Sequence, residues 1–290
     1  MTCSPKLSAF LKVGFAFFIW SLSGPILNLS SFSAIQTIWG ISILAVIYLL
    51  FYSFFNSKIS ELKVVKLNMV LLIFLLASGL SGVLWLQSLT LVPIAQAVLL
   101  YSVVPIFTFV LGFLFLKEGL QLAKAFALTL GIVGVTIILL GDFGKLTVGT
   151  KFFFGTVAIL AAAFLNAIQA VIAKKLSLNY PTWITVLLIM LAQVVIATPF
   201  AFSQKWEITP FAVSGVIFLS IFSSIVAFFF YVNGFKILKS STVTLAGYLE
   251  PFLAAIWGYL FLRQIVTANI FLGGILILAS GYIAVRSEER

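Results

Sequence analysis

The sequence predicts an all-α polytopic membrane protein with ten transmembrane helices. Hydrophobic residues make up 63% of the 290-residue chain and charged residues only 8%, against about 45–50% and about 25% in soluble domains. With 17 basic and 7 acidic residues, the chain lacks the polar surface that a globular protein of this length needs in water. Each spanning helix needs about 20 apolar residues, so ten spans use roughly 200 residues and leave no room for a soluble domain.

Charged residues and turn signals divide the chain into these spans. Two uncharged stretches, 13–57 and 67–116, are each too long for one span. We divide them at 28–33 and 90–93, where turn-forming residues occur, and the other turns fall at 141–144, 179–181 and 209–210. The predicted spans are 10–29, 33–55, 67–89, 93–116, 123–140, 152–173, 181–203, 210–235, 242–262 and 266–285. Eight or nine spans remain the alternative if one of the hairpins is re-entrant.

The basic residues give the orientation of the spans. If the N-terminus is cytoplasmic, 13 of the 17 Lys and Arg residues fall on the inside, as the positive-inside rule requires. The four on the outside are Lys145, Lys151, Lys205 and Arg263. We therefore predict a multi-pass membrane protein with both termini cytoplasmic. The longest basic cluster is a pair of lysines, so nucleic acid is not an expected partner.

The residues that the chain lacks exclude several kinds of chemistry. There is no histidine, and the single cysteine is Cys3, so disulfides, Cys/His zinc sites and Ser-His or Cys-His nucleophile pairs cannot form. The single aspartate, Asp142, excludes a protease with two catalytic aspartates. We predict no metal, no cofactor and no enzymatic activity. A lipid-modifying intramembrane enzyme is the alternative from another class, and turnover of a lipid would reveal it.

The two halves of the chain repeat each other. A shift of 146 residues aligns Pro105 with Pro251 and Gly112 with Gly258, and each glycine is followed by an LFL run and a basic residue. Because each half holds five spans, an odd number, the second copy enters the membrane from the opposite side. We predict two inverted five-helix repeats, at 7–141 and 150–286. Transporters of this construction hold their substrate near the bilayer midplane, between the repeats.

Several segments resemble EamA-type repeats of the drug/metabolite transporter superfamily. They are FIWS at 18–21, PIFTFVLGFLFLKE at 105–118, YLEP at 248–251 with the residues up to 262, and FLGGILILASG at 271–281. The resemblance extends from about residue 7 to 285. It implies ten helices in two inverted repeats and alternating-access transport of a small organic solute through a central cavity. Two positions depart from the family pattern: Gln264 replaces an acid, and 36–40 contains no arginine.

Glu250 is the acidic residue that lies well inside a predicted span. An ionised carboxylate there costs at least ~2.5 kcal/mol, so we expect it to face a cavity or a partner. We interpret it as an ion-coupling group that exchanges a proton, or as a counter-ion for the ammonium group of a substrate. The alternative is an architectural role, in which a protonated Glu250 caps backbone carbonyls freed around Pro251.

Pro105 and Pro251 are predicted to kink the fourth and ninth spans. A proline inside a helix removes a backbone donor and clashes with the preceding turn. The two bends are related by the repeat. They could act as hinges or expose carbonyls to a substrate, or they could be static kinks packed by neighbouring helices.

Aromatic and amide side chains within the spans are the candidates for substrate binding. Amides in a membrane need partners, so they are expected to point into the bundle, where they can hydrogen-bond a polar solute while rings stack on it. We select those on the first, third, fourth, sixth, eighth and ninth spans, which the resemblance implies line the cavity. They are Trp20, Trp85, Gln87, Tyr101, Asn166, Tyr231 and Tyr248.

The predicted function is secondary transport of a small organic metabolite, such as an amino acid, across a prokaryotic inner membrane. Export is the favoured direction from the habit of the family, and protons are the first candidate for coupling. Uptake or exchange of a nucleotide-like or methyl-donor metabolite is the alternative, although no basic residue lies deep in a span to bind phosphate. The expected partners are the solute and the lipid bilayer, and the sequence is compatible with a monomer or a homodimer.

Overall fold

The computed structural model is built from helices joined by short loops. It describes residues 4–23, 26, 30–88, 91–92, 94–119, 121–139, 150–203, 205–262 and 268–289, and these contain no β-strand. The α-helices are α1 (Pro5–Ser21), α2 (Ala34–Phe55), α3 (Met69–Ser88), α4 (Ile94–Tyr101), α5 (Val104–Leu116), α6 (Leu122–Leu139), α7 (Thr150–Asn179), α8 (Thr182–Ala201), α9 (Pro210–Leu219), α10 (Phe228–Ile237), α11 (Ser240–Leu245), α12 (Leu249–Leu262) and α13 (Ala268–Glu289). Two 3-10 helices (Ile59–Val64 and Ala246–Tyr248) and a π-helix (Ser220–Ala227) complete the described elements.

Apolar helices identify a polytopic membrane protein. Within the described ranges, six helical stretches are long and apolar enough to cross a membrane: Ala34–Phe55, Ala97–Leu116, Thr150–Asn179, Thr182–Ala201, Pro210–Ile237 and Ala268–Glu289. Met69–Trp85 and Leu122–Ile138 are shorter apolar helices. Large apolar side chains are exposed on their outer faces, for example Phe55 at 76% and Phe115 at 73%, as expected for side chains that contact lipid. The all-α membrane class is thus confirmed, and the ten-span topology stays a prediction.

Local caps explain where several helices begin. The Ser4 hydroxyl accepts a hydrogen bond from the Leu7 N–H at 3.2 Å, and Ser33 forms a capping box with Gln36 at the start of α2. The Thr209 hydroxyl accepts from the Ala212 N–H at 3.3 Å. Such side chains satisfy the free N–H groups of a first helical turn. The predicted turn at 141–144 lies outside the described residues, as do parts of those at 28–33 and 90–93.

The fourth and ninth predicted spans each consist of separate segments. In the fourth, α4 ends at Tyr101 and α5 begins at Val104, so Pro105 stands in the first turn of α5. In the ninth, the 3-10 helix Ala246–Tyr248 separates α11 from α12, and Pro251 stands in the first turn of α12. Proline suits a first turn because the N–H that it lacks would have no helical partner there. Each helix is therefore interrupted before its proline.

The eighth predicted span contains a π-helix that the sequence did not predict. The regular helix expected over 210–235 changes to π geometry at Ser220 and returns to α geometry at Phe228. The wider turn of a π-helix changes which backbone N–H and C=O groups form hydrogen bonds with each other. Such segments often occur at functional sites. Trp20 Nε1 donates a hydrogen bond to the Ser223 carbonyl within this segment at 3.0 Å.

The last helix is longer than predicted. The expected tail after residue 285 is helical up to Glu289, and the Glu288 side chain is buried, with 3% exposed. Glu288 Oε1 lies 3.0 Å from Lys124 Nζ and accepts hydrogen bonds from the Lys239 N–H at 3.1 Å and from the Thr242 hydroxyl. The sequence could not reveal this extension because Lys124 lies 164 residues away along the chain.

These contacts belong to an inner network, which we define as Glu118, Lys124, Ser240, Thr242 and Glu288. Glu118 Oε1 accepts a hydrogen bond from the Ser240 N–H at 2.8 Å. All members lie in or beside segments that the charge distribution assigns to the cytoplasmic side. Segments assigned to the opposite side are joined to each other in the same way: the Ser31 hydroxyl donates to the Glu207 carbonyl at 2.6 Å, and Gln36 Nε2 donates to the Lys205 carbonyl at 3.2 Å.

The two halves pack through related pairs of helices. The most extensive contact joins α6 to α13, the last helices of the two halves, and α2 contacts α8. The contact of α3 with α7 has its counterpart in that of α10 with α1, and α5 with α7 corresponds to α12 with α1. Between α6 and α13 the backbones approach closely at Gly134 and Gly273. The main contacts between helices are therefore related by the symmetry of the two halves.

Candidate functional site

A cavity of about 410 Å³ lies between the two halves. Its walls come from α1, α2, α3, α4, α5, α7, α8, the π-helix with its flanks, and the segments on both sides of the 3-10 helix Ala246–Tyr248. A cavity of this size falls in the range of small-molecule sites. A second cavity, of about 360 Å³, lies between α1, α12 and α13, and the described residues that line it are apolar. The first cavity is therefore the candidate site for a polar solute.

Most of the predicted site residues line this cavity. Among its lining residues are Trp20, Trp85, Tyr101, Pro105, Asn166, Tyr231, Tyr248, Glu250 and Pro251. Gln87 is not among them, and its side chain is exposed. Because successive helical residues are 100° apart, Gln87 points to nearly the opposite side of α3 from Trp85. The structure thus brings six of the seven substrate-binding candidates together with Glu250.

Glu250 presents its carboxylate to the cavity. It stands in the first turn of α12, where the helix dipole favours a negative charge. The side chain is exposed and lines the cavity. Among the described residues, none forms an ion pair with it or donates a hydrogen bond to it. The carboxylate is therefore available to a ligand or a proton.

Two groups of aromatic rings form walls of the cavity. The Trp20 ring centroid lies 5.2 Å from that of Tyr231 and 5.0 Å from that of Phe17, in edge-to-face arrangements. The Trp85 and Tyr101 rings lie 4.4 Å apart. Rings in such positions can stack on an apolar or aromatic part of a solute. Phe17 is a lining residue that the sequence reasoning did not select.

Hydroxyl groups are the main part of the lining that the sequence reasoning missed. Five lining side chains donate their hydroxyl proton to a backbone carbonyl three or four residues earlier, which is a common arrangement in helices. They are Ser23, Thr37, Ser81, Ser102 and Thr244. No local signal distinguishes a serine on the cavity side of a helix from one packed elsewhere. Gln169, Gln193, Ser223 and Ser224 also line the cavity.

The described lining of the cavity contains few ionisable groups. Within the part of the chain that the structure describes, Glu250 is the lining residue with a carboxylate, and neither lysine nor arginine contributes to the wall. The other titratable groups are the phenols of Tyr101, Tyr231 and Tyr248. The cavity therefore combines one acidic group with neutral polar and aromatic surface.

The cavity is closed on the side of the inner network. The residues from Ser240 to Ala246 are all buried, and Thr244 is the first of them to line the cavity. On the other side, the lining reaches Ser23, just beyond α1, and Thr37, in the first turn of α2. These ends are assigned to the outside by the charge distribution. The cavity thus extends toward the predicted outer side.

An apolar helical bundle around a mostly apolar cavity, whose described lining adds amides, hydroxyls and the Glu250 carboxylate, is the architecture of a membrane transporter for small solutes. The chain belongs to the EamA-like transporter family, whose sequence model matches residues 7–140 and 153–286. This confirms the resemblance of the sequence to EamA-type repeats and the assignment to the drug/metabolite transporter superfamily.

A solved crystal structure of a protein has a similar fold. It matches with a TM-score of 0.82 and 16% sequence identity over 96% of this chain and 96% of the other. At this identity the similarity supports the fold alone. Among curated proteins, none matches the sequence.

Proposed function

We propose that the protein is an alternating-access secondary transporter that exports a small organic metabolite, such as an amino acid, across a prokaryotic inner membrane. The observation that carries the proposal is the cavity between the two halves, where aromatic rings, amides and hydroxyls surround the Glu250 carboxylate. In transporters with inverted repeats the solute site lies at this interface. Membership of a transporter family supports transport, while the solute, the direction and the coupling are part of the proposal.

The proposed topology has ten spans in two inverted repeats with both termini inside. It is supported by the distribution of basic residues, 13 inside and four outside. Contacts between segments predicted to share a side, such as Glu118 with Ser240 and Ser31 with Glu207, also support it. Opening the cavity to the cytoplasm would require the inner network to separate.

Glu250 is the proposed coupling group. Carboxylates within membrane spans commonly mark proton relays or ion pathways, and this one has no ion-pair partner among the described residues. Release of a proton from Glu250 on one side of the membrane and binding of a proton on the other would couple solute flux to the pH gradient. The lack of lysine and arginine in the described lining supports a solute without phosphate.

Counterflow in proteoliposomes tests the proposal. A labelled panel of neutral, aromatic and cationic amino acids and nucleoside-type metabolites is offered to the wild type and to Glu250→Gln, with and without a pH gradient. We expect the wild type to exchange a panel member and to accumulate it up to about tenfold per pH unit, if one proton moves per solute. We expect Glu250→Gln to retain exchange and to lose the gradient-driven accumulation.

Glu207→Gln, which removes an exposed carboxylate outside the cavity, is the matched control and should accumulate the solute like the wild type. Equal accumulation by the wild type and Glu250→Gln would contradict the coupling role and leave the carrier function standing. A folded wild type that exchanges no member of the panel would contradict the proposed substrate class.

A further inference from the structure

The polar lining of the cavity indicates what class of solute it recognises. Building on the transport function proposed above, we propose that the cavity binds monovalent organic cations, namely amines with an aromatic or apolar body, whose charged nitrogen contacts the Glu250 carboxylate. Such a solute has the ammonium group of an amino acid and lacks its carboxylate. The inference rests on the charge, the hydrogen bonds and the ring surfaces of the described lining.

The described lining carries an acidic group and no basic side chain to balance it. Glu250 is acidic, and among the described residues of the lining there is no lysine or arginine to balance it. It also accepts no hydrogen bond and forms no ion pair within the described chain. A charge without a partner is costly within a membrane. A cationic ligand would supply the missing partner, whereas an anionic group would be repelled.

Five hydroxyl groups of the described lining are arranged as acceptors. A hydroxyl has one proton to donate and two lone pairs that accept. Ser102 donates its proton to the Val98 carbonyl at 2.7 Å and Thr37 to the Ser33 carbonyl at 3.1 Å. Ser23, Ser81 and Thr244 donate to their own helices in the same way. The oxygen lone pairs that remain suit the N–H donors of an ammonium group better than the oxygens of a carboxylate.

The donors in the lining are neutral. They include the amides of Asn166, Gln169 and Gln193, the phenols of the three lining tyrosines, the hydroxyls of Ser223 and Ser224 and the indole N–H of Trp85. Gln193 Oε1 accepts a hydrogen bond from the Ser42 hydroxyl at 2.8 Å. A solute carboxylate would therefore find single neutral hydrogen bonds and no cationic partner, close to the charge of Glu250. The cavity thus offers a charged partner for only one end of a zwitterion.

The aromatic walls suit both parts of such a cation. The faces of tryptophan and tyrosine attract a cation within about 6 Å, and the same rings stack on an apolar body. Trp85 and Tyr101 form one wall, with ring centroids 4.4 Å apart, and Trp20 and Tyr231 form another, with centroids 5.2 Å apart. The volume of about 410 Å³ accommodates an amine with one aromatic ring.

A set of four ligands with a common phenylethyl body tests the proposal. They are phenethylamine, whose ammonium group is protonated at neutral pH, phenylalanine, phenethyl alcohol and the anion 3-phenylpropionate. Each is titrated into the purified protein while tryptophan fluorescence is followed, because Trp20 and Trp85 line the cavity. We expect the cation to bind about tenfold or more tightly than the alcohol, and the anion to bind most weakly.

Variants of Glu250 test whether this residue causes the preference for the cation. In Glu250→Gln we expect the affinity for the cation to fall to within about twofold of that for the alcohol, since the charge contact is lost. Glu250→Asp keeps the charge and should keep the preference for the cation, which also covers the case in which Glu250→Gln does not fold. Glu207→Gln, with its exposed carboxylate removed, should bind all four ligands like the wild type.

The outcomes separate this proposal from the transport function. An anion that binds as tightly as the cation, or a cation preference that persists in folded Glu250→Gln, would overturn it. Counterflow of phenylalanine in proteoliposomes without cation binding would also overturn it and leave transport standing. Cation binding that depends on Glu250, without counterflow of the labelled panel or of the labelled amine itself, would support the cation site and contradict the transport function.

Discussion

Replacing Gly273 by valine is expected to prevent formation of the native bundle. A Cβ atom at this position would lie 2.4 Å from the Gly134 carbonyl oxygen and 2.5 Å from Ile138 Cγ1. The carbonyl belongs to the backbone of α6, so the clash is relieved only if α6 and α13 separate. Because these helices form the most extensive contact in the bundle, we expect a loss of about 3 kcal/mol or more of stability.

Gly82→Ala is the control for this substitution. A Cβ atom at Gly82 would meet no heavy atom within 4 Å, and alanine favours a helix over glycine by about 0.5–1 kcal/mol. Size-exclusion profiles and thermal unfolding of the detergent-extracted variants give the comparison. We expect Gly82→Ala to unfold at or above the temperature of the wild type. A Gly273→Val variant that is monodisperse and melts like the wild type would contradict the close approach of α6 and α13.

Replacing Lys124 by methionine is expected to lower the free energy of unfolding by about 3–5 kcal/mol. Lys124 and Glu288 form an ion pair at 3.0 Å, with 0% and 3% of their side chains exposed. Removal of the lysine leaves the Glu288 carboxylate buried without its counter-ion. Denaturant or thermal unfolding of the purified variants measures the loss.

A second ion pair near the end of the same helix provides the control. Arg286 and Glu289 also lie 3.0 Å apart, but 63% and 25% of their side chains are exposed, so Arg286→Met should cost only about 0–1 kcal/mol. The double variant Lys124→Met/Glu288→Leu should recover part of the loss, because no unpaired charge remains. Equal stability of Lys124→Met and Arg286→Met would contradict the stabilising role of the buried pair.

Much of the helical architecture could be predicted from local sequence. Uncharged stretches define the apolar helices, and Ser33 and Thr209 mark helix starts because their side chains bind N–H groups only a few residues away. Features that depend on distant partners could not be predicted. In the sequence, Glu288 looks like part of a charged C-terminal tail. Its ion pair with Lys124 is visible only in the structure. The π-helix at Ser220–Ala227 has no sequence signal of its own.

In the candidate site, too, some residues could be predicted from the sequence and others could not. Glu250 and the large aromatic residues could be selected because such side chains are conspicuous in apolar spans. The spacing of Trp85 and Gln87 also held a usable signal, since residues two apart on a helix face different sides, and only Trp85 lines the cavity. The lining hydroxyls, such as that of Ser102, could not be distinguished in the sequence from hydroxyls buried between helices. A helical serine donates its proton to a carbonyl of its own helix in both situations.

The single carboxylate in the described lining of the cavity has an electrical consequence. A proton and a monovalent amine each carry one positive charge, and in the proposed exchange Glu250 binds one of them at a time. An exchange in which they alternate moves no net charge across the bilayer, so the membrane voltage, worth about 2.3 kcal/mol per charge per 100 mV, does no work on it. Solute ratios driven by the proposed exchange should therefore be equal in polarised and depolarised vesicles at the same pH difference.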